Sequence, residues 1–263
     1  MAVSPESITT PAGFVLEYDD DKHAYWINGE PVVSVTQALS VLDKSGPLIW
    51  WAWKMGLTDA HEWMVDEFGD ARRQVPATSV DLEAELKSNG LHPNAKRDKA
   101  ADRGVGAHHA LEQLAATGRL DLSKIEPGDQ GYASAVYDWW LEANPTECVT
   151  EQMVGSVKHG FAGRYDLDCR IDGARYLVDL KTGAKKGIYE SHAFQLAGYE
   201  IAAEESGYGR FDKTAILKAM PDGEYQFVET HASADDFLAV KAAYDAMHRV
   251  KQSMKKPRKA KAA

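Results

Sequence analysis

Two alternating runs of residues joined by Asp-Gly constrain this chain more than any other feature. Gly163-Arg164-Tyr165-Asp166-Leu167-Asp168-Cys169-Arg170 alternates in type, as does Tyr176-Leu177-Val178-Asp179-Leu180-Lys181, and Ile171-Asp172-Gly173-Ala174 lies between them. Asp-Gly tolerates the two positive φ angles of a tight hairpin turn, so the stretch predicts two antiparallel strands. Counting outward from that turn sets Asp166 opposite Asp179 and Arg164 opposite Lys181. Opposed residues share a face of the sheet. One face then carries Tyr165, Leu167, Cys169, Tyr176, Val178 and Leu180, which is core material. The other carries Arg164, Asp166, Asp168, Asp179 and Lys181.

Opposed carboxylates on neighbouring strands have Cβ atoms roughly 5 Å apart, where like charges destabilise the pair. A divalent cation between them reverses the sign of that interaction. The pattern asks for a metal.

The same residues resemble a known family. Gly163-Arg164-Tyr165-Asp166, then Val178-Asp179-Leu180-Lys181, then Gln195 and Tyr199 on a helix, are similar to the PD-(D/E)XK nuclease superfamily. Within it the resemblance is to RecB-like exonucleases, including CRISPR-associated and phage relatives, and is clearest from about Arg103 to Tyr199. Tyr165 stands where the superfamily name has Pro. The resemblance implies an α/β (α+β) fold, with a central mixed sheet flanked by helices in the restriction-endonuclease-like manner. It implies that Asp166, Asp179 and the Leu180 carbonyl hold Mg²⁺ or Mn²⁺, that Lys181 assists the attacking water, and that Gln195 and Tyr199 border the site and the DNA. Arg103-Gly104-Val105-Gly106-Ala107-His108 resembles the helix before the catalytic sheet, whose His contributes to the metal site, so His108 joins the expected ligands. His109 then points elsewhere, since adjacent helical residues diverge. Glu151 matches a Glu that recurs before the Gly-x-x-Asp strand. A metal role and a surface salt bridge both stay open for it.

Composition sets outer limits. A chain of 263 residues makes one large domain or two small ones and buries a full core. Its 44% hydrophobic and 27% charged residues are ordinary for a globular protein. No apolar run approaches a membrane span, and the start Met1-Ala2-Val3-Ser4-Pro5 lacks a signal peptide's pattern. Two cysteines, Cys148 and Cys169, make no disulfide framework and cannot supply the four ligands of the iron–sulfur cluster some RecB-like relatives carry. A cytoplasmic protein is expected, in the host cytoplasm if phage-encoded, with no membrane partner. The net charge of −10 argues weakly against nucleic acid, but acids lining a metal site inflate it.

Residues 1–95 read as an N-terminal lobe, 96–253 as the nuclease core and 254–263 as a basic tail. Residues 1–12 are expected to be disordered. Phe14–Tyr18, Ala24–Ile27 and Val32–Val35 form a three-stranded meander, with Ser34 or Thr36 capping a short helix. A helix opened by Ser45-Gly46-Pro47 carries Trp50, Trp51, Trp53, Leu57 and Trp63; such a stripe stacks on bases or, more often, fills a core. Ser79 caps a further short helix with Leu82 and Leu86. Helices are expected at about 96–117, 128–141, 190–205 and 235–254, and strands at 151–157, 214–217 and 225–228. Thr182-Gly183-Ala184-Lys185-Lys186-Gly187 suits phosphate contact. Lys255, Lys256, Arg258, Lys259 and Lys261 either solvate the tail or touch DNA phosphates.

The expected activity is a Mg²⁺- or Mn²⁺-dependent deoxyribonuclease, an exonuclease of phage or bacterial DNA recombination, repair or processing, working with DNA and with a recombination or replication protein. A degenerate nuclease fold acting as a DNA-binding or recombination-accessory protein is the alternative; it has no need of an opposed acidic pair. A zinc hydrolase built on His108, His109 and Glu112 fits poorly, because His-Glu-x-x-His is absent.

Overall fold

The structure, a computed structural model, describes residues 5–42, 88, 93–183 and 187–254, with side chains of the helix that begins at Pro93 described from Val105 onward. The tryptophan-rich helix, the Ser79 helix, residues 184–186 of the basic loop and the tail from Lys255 lie outside the described residues. The chain divides into two compact units, residues 1–42 with 107–263, and residues 43–106. Every expected site residue falls in the first.

In chain order the elements are β1 (Glu6–Thr9), β2 (Val15–Asp19), β3 (Ala24–Ile27), β4 (Glu30–Ser34), α1 (Val35–Ala38), α2 (Pro93–Thr117), α3 (Gln130–Ala143), β5 (Thr146–Ser156), β6 (Phe161–Ile171), β7 (Ala174–Thr182), α4 (Glu190–Glu205), β8 (Lys213–Ala219), β9 (Tyr225–Thr230) and α5 (Ala234–Ser253). The nine strands make one mixed sheet in the order β1-β2-β3-β4-β6-β7-β8-β9, with β5 paired to β6. The expected α/β (α+β) class is the one observed. No helix of the described residues is long and apolar enough to cross a membrane.

Local chemistry sets the boundaries. Asp172 and Gly173 take φ of 51° and 83°, the two-residue turn that Asp-Gly predicts. Ser34 caps α1 by accepting from the Gln37 amide at 3.0 Å, and Gln37 Oε1 accepts from the Ser34 amide at 3.0 Å. Gly118, at φ 67°, ends α2 by donating its N–H to the Leu114 carbonyl.

The amino-terminal segment differs from expectation. Residues 6–9 are not disordered but form β1, antiparallel to β2, with Ile8 opposite Leu16. Ile8 packs against the cluster of Phe14, Leu16, Tyr25, Ile27, Met153 and Ala162, which gives this short polar strand something to bury. The meander then enters the main sheet through β4, which pairs parallel with β6 at Val33↔Phe161 and Ser34↔Ala162.

Two larger clusters cover the two faces of the sheet. Leu111, Leu114, Val136 and Trp139 of α2 and α3 meet Leu167, Cys169, Val178 and Leu180. Leu196, Ala203 and Phe237 of α4 and α5 meet Val154, Phe161, Tyr165, Leu177 and Ile216.

Candidate metal centre

The centre forms where β6 changes partner. One edge of β6 is held by β5 along most of its length. The other edge is shared: β7 pairs with it from Ile171↔Ala174 to Leu167↔Val178, and β4 takes over at Phe161 and Ala162. Asp166 and Asp179 lie one residue beyond the last bridged pair, in the gap. The Leu180 amide, which a continued ladder would have bonded to backbone, donates to Asp166 Oδ2 at 2.6 Å.

Glu151 faces Asp166 from the other side. The β5–β6 ladder bridges Thr150↔Leu167 and Gln152↔Tyr165 and skips the position between them. Glu151 sits there at φ 53°, left-handed and costly for a side chain of its type. α2 supplies the third group. His108 Nδ1 lies 3.5 Å from Glu151 Oε1 and 3.7 Å from Asp166 Oδ1. Donor atoms of His108, Glu151 and Asp166 all fall within 4.8 Å of one another, as a shared cation requires. His109, its neighbour, is exposed.

Asp179 is outside that trio and heads a polar chain into α4. It is fully buried, and its one close partner among the described residues is Lys181. Lys181 Nζ lies 2.7 Å from Asp179 Oδ2 as an ion pair and donates to Gln195 Oε1 at 3.1 Å. Gln195 Nε2 in turn donates to the Tyr199 hydroxyl at 3.1 Å. Gln195 and Tyr199 are both buried rather than solvated polar residues of a helix surface. Gly163 has a steric reason to be glycine, because a Cβ there would meet the Tyr199 ring at 2.5 Å.

Burial opposes charge on the His108 imidazole, but Asp166, Glu151 and Asp179 outweigh it and hold its pKa up at about 9. Burial, then the charge of Asp179, pushes the Asp166 carboxyl up to about 7 despite His108, Lys181 and the Leu180 amide. Burial works against the Lys181 ammonium as well, yet Asp179 and Asp166 raise its pKa above the ordinary value. The acids therefore repel one another and are only partly compensated from within the protein.

Several side chains depart from simple alternation. Tyr165 belongs to the cluster under α4 and α5, while Leu167 and Cys169 belong to the opposite one. The switch falls at Asp166, where both ladders are interrupted. Arg164 does not stand opposite Lys181, because β7 has already left that edge; it pairs with Met153 of β5, and its guanidinium meets Glu6 and the Tyr18 ring. Asp168, expected beside Asp166, is held instead by both ends of Arg175 at 2.6 and 3.0 Å. The position of Glu151 opposite Asp166 was available in the sequence. Counting outward from Val157–Gly160, the loop that joins Ser156 to Phe161, places the two together.

No protein-family model matches the chain, and no curated protein matches it. Among solved structures it is similar to SSO0001, with a TM-score of 0.32 and 20% identity over 56% of this chain and 74% of that one. It is also similar to a candidate exonuclease from Eubacterium rectale, with a TM-score of 0.35 and 15% identity over 70% of this chain and 71% of that one. Both superpositions are shallow.

A direct role for His108 is measurable. His108→Ala is expected to raise the Mn²⁺ concentration needed for half-maximal thermal stabilisation by about tenfold or more, with His109→Ala unchanged. Equal titrations for wild type and His108→Ala would move His108 out of the metal shell.

Proposed function

We propose that this chain is a Mg²⁺- or Mn²⁺-dependent deoxyribonuclease of the PD-(D/E)XK, RecB-like type, acting as an exonuclease in phage or bacterial DNA recombination, repair or processing. The observation that carries this reading is Asp179: a fully buried carboxylate whose one close partner among the described residues is the Lys181 ammonium, beside a second, half-buried acid. Holding two neighbouring acids out of water against one ammonium is expensive, and a further cation is the species that would recover the cost. Carboxylate oxygens with one imidazole nitrogen suit a hard divalent ion such as Mg²⁺ or Mn²⁺.

In this reading Asp166, Asp179 and His108 hold the ion, with Glu151 reaching it directly or through water. Leu180 adds its carbonyl, which points to the same side of an extended strand as the amide bonded to Asp166. A bound divalent ion supplies positive charge against the scissile phosphate and lowers the pKa of a water. Lys181 is held as an ammonium, which has protons to donate and no lone pair to accept one. Its role is accordingly to orient the water by donation and to offset negative charge growing on the phosphate, rather than to act as base. Gln195 and Tyr199 fix where that ammonium points. Tyr199 also walls a cavity of about 230 Å³ lined by Tyr18, Tyr25, Gly163 and Arg164, whose aromatic and guanidinium groups suit a nucleotide.

End-labelled linear DNA and covalently closed circular DNA, incubated with the protein and Mg²⁺ or Mn²⁺, test the proposal. Progressive loss of the linear substrate, resistance of the circle and full inhibition by EDTA are expected. Cleavage of the circle would make the enzyme an endonuclease. Tight DNA binding with no cleavage in either metal would instead favour the degenerate accessory protein.

A further inference from the structure

Beside Lys181 stands a second lysine, buried, with no carboxylate partner among the described residues. β7 and β8 are parallel, and their register sets Lys218 beside Lys181, so both side chains leave the same face of the sheet. Lys218 is 7% exposed. Its Nζ donates to the Thr182 carbonyl at 2.8 Å, and among the described residues it forms no ion pair with a carboxylate. Lys181 differs, because Asp179 and Asp166 offset its charge.

Like charges in register on neighbouring strands destabilise a sheet, and a buried ammonium without a counter-ion adds to the cost. Holding the Thr182 carbonyl does not explain the choice of lysine, since a neutral donor such as Gln serves for that bond. An ammonium has three donors, and the Thr182 carbonyl engages one. The arrangement mirrors the acid pair. Acids that are only partly offset ask for a cation, and an ammonium beside Lys181 with no carboxylate partner among the described residues asks for an anion.

We propose that Lys218 is a phosphate-binding residue of this site, contacting the DNA backbone next to the scissile bond while Lys181 faces the reacting phosphate. The proposal rests on the nuclease reading and adds a substrate contact to it. Lys218 is the charged residue between Ala215-Ile216-Leu217 and Ala219-Met220, an otherwise apolar run, and that interruption is its signal in the sequence.

The test compares Lys218→Gln, which keeps a donor for Thr182 but removes the charge, with Lys218→Met and Lys218→Arg. Steady-state kinetics on linear DNA with Mg²⁺ separate KM from kcat, and DNA affinity is measured against salt with Ca²⁺ in place of Mg²⁺. Lys218→Gln and Lys218→Met are both expected to raise KM about tenfold and to flatten the log–log salt dependence by about 0.9, the value of one phosphate contact, with Lys218→Arg close to wild type. If Lys218→Gln matches wild type in KM and salt slope, the lysine serves only Thr182 and the proposal fails, whatever the stability of Lys218→Met. That outcome leaves Mg²⁺-dependent cleavage by the wild type intact; a wild type that neither cleaves nor binds DNA overturns both readings.

Discussion

Asp179→Ala is expected to lower metal-dependent DNA hydrolysis by at least about 10²- to 10³-fold, the loss typical when one group stabilising a charged transition state is removed. The substitution also removes a fully buried charge that the Lys181 ammonium only partly offsets, so the metal-free fold should survive it. Lys181 then loses its ion pair but keeps Gln195 as an acceptor, and a quarter of its side chain stays exposed. The reciprocal change behaves differently. Lys181→Ala leaves Asp179 buried with no cation at all, a break that costs about 3–5 kcal/mol, so this variant should be inactive and markedly less stable without metal. Added Mn²⁺ should recover much of that stability, whereas Asp179→Ala should gain little from the metal. Digestion of linear DNA by Asp179→Ala at the wild-type rate would remove Asp179 from the chemistry.

The second large effect is on the pH dependence of the metal-free protein. Asp166 titrates near 7 in the fold against an ordinary 3.8, so between those values the native state holds a proton that the unfolded chain has lost. Stability therefore falls as pH rises through that window. His108 titrates near 9 against an ordinary 6.5, and its contribution is fully present below 6.5 and lost as pH rises toward 9. Both limbs slope the same way. At about 1.4 kcal/mol per pKa unit, and about 2–4 °C per kcal/mol for a chain of this size, the melting temperature should fall on the order of 10–25 °C from pH 5 to pH 9. Metal reverses the trend, because the ligands must be deprotonated to bind it, so the Mn²⁺-induced shift should grow with pH. Asp166→Asn is expected to flatten the acid limb and His108→Ala the alkaline one. A metal-free melting temperature independent of pH over this range would contradict the electrostatic account of the centre.

Much of this was legible in the sequence, and for a physical reason. The Asp172-Gly173 turn, the register it sets from Ile171↔Ala174 to Leu167↔Val178, and helix α4 over Glu190–Glu205 all depend on local backbone preference and periodicity, which neighbouring residues determine between themselves. The opposed acids follow from counting along that hairpin. The rest was decided by contacts between segments far apart in the chain. β1 exists because Ile8 finds the cluster around Leu16, a partner that no local pattern announces for a short polar run. Arg164 is drawn away to Glu6 and Tyr18 because β7 has left that edge of β6 before Arg164 is reached. The gap between β4 and β7 gives Asp166 the Leu180 amide, and α2 brings His108 to Glu151 and Asp166 across more than 40 residues of sequence. Burial did what alternation could not: it left Asp179 with Lys181 as its one close partner, and Lys218 with no carboxylate partner among the described residues. Residue type and spacing select the groups of such a centre, but the energy that makes them ask for a ligand arises only when the tertiary structure takes them out of water.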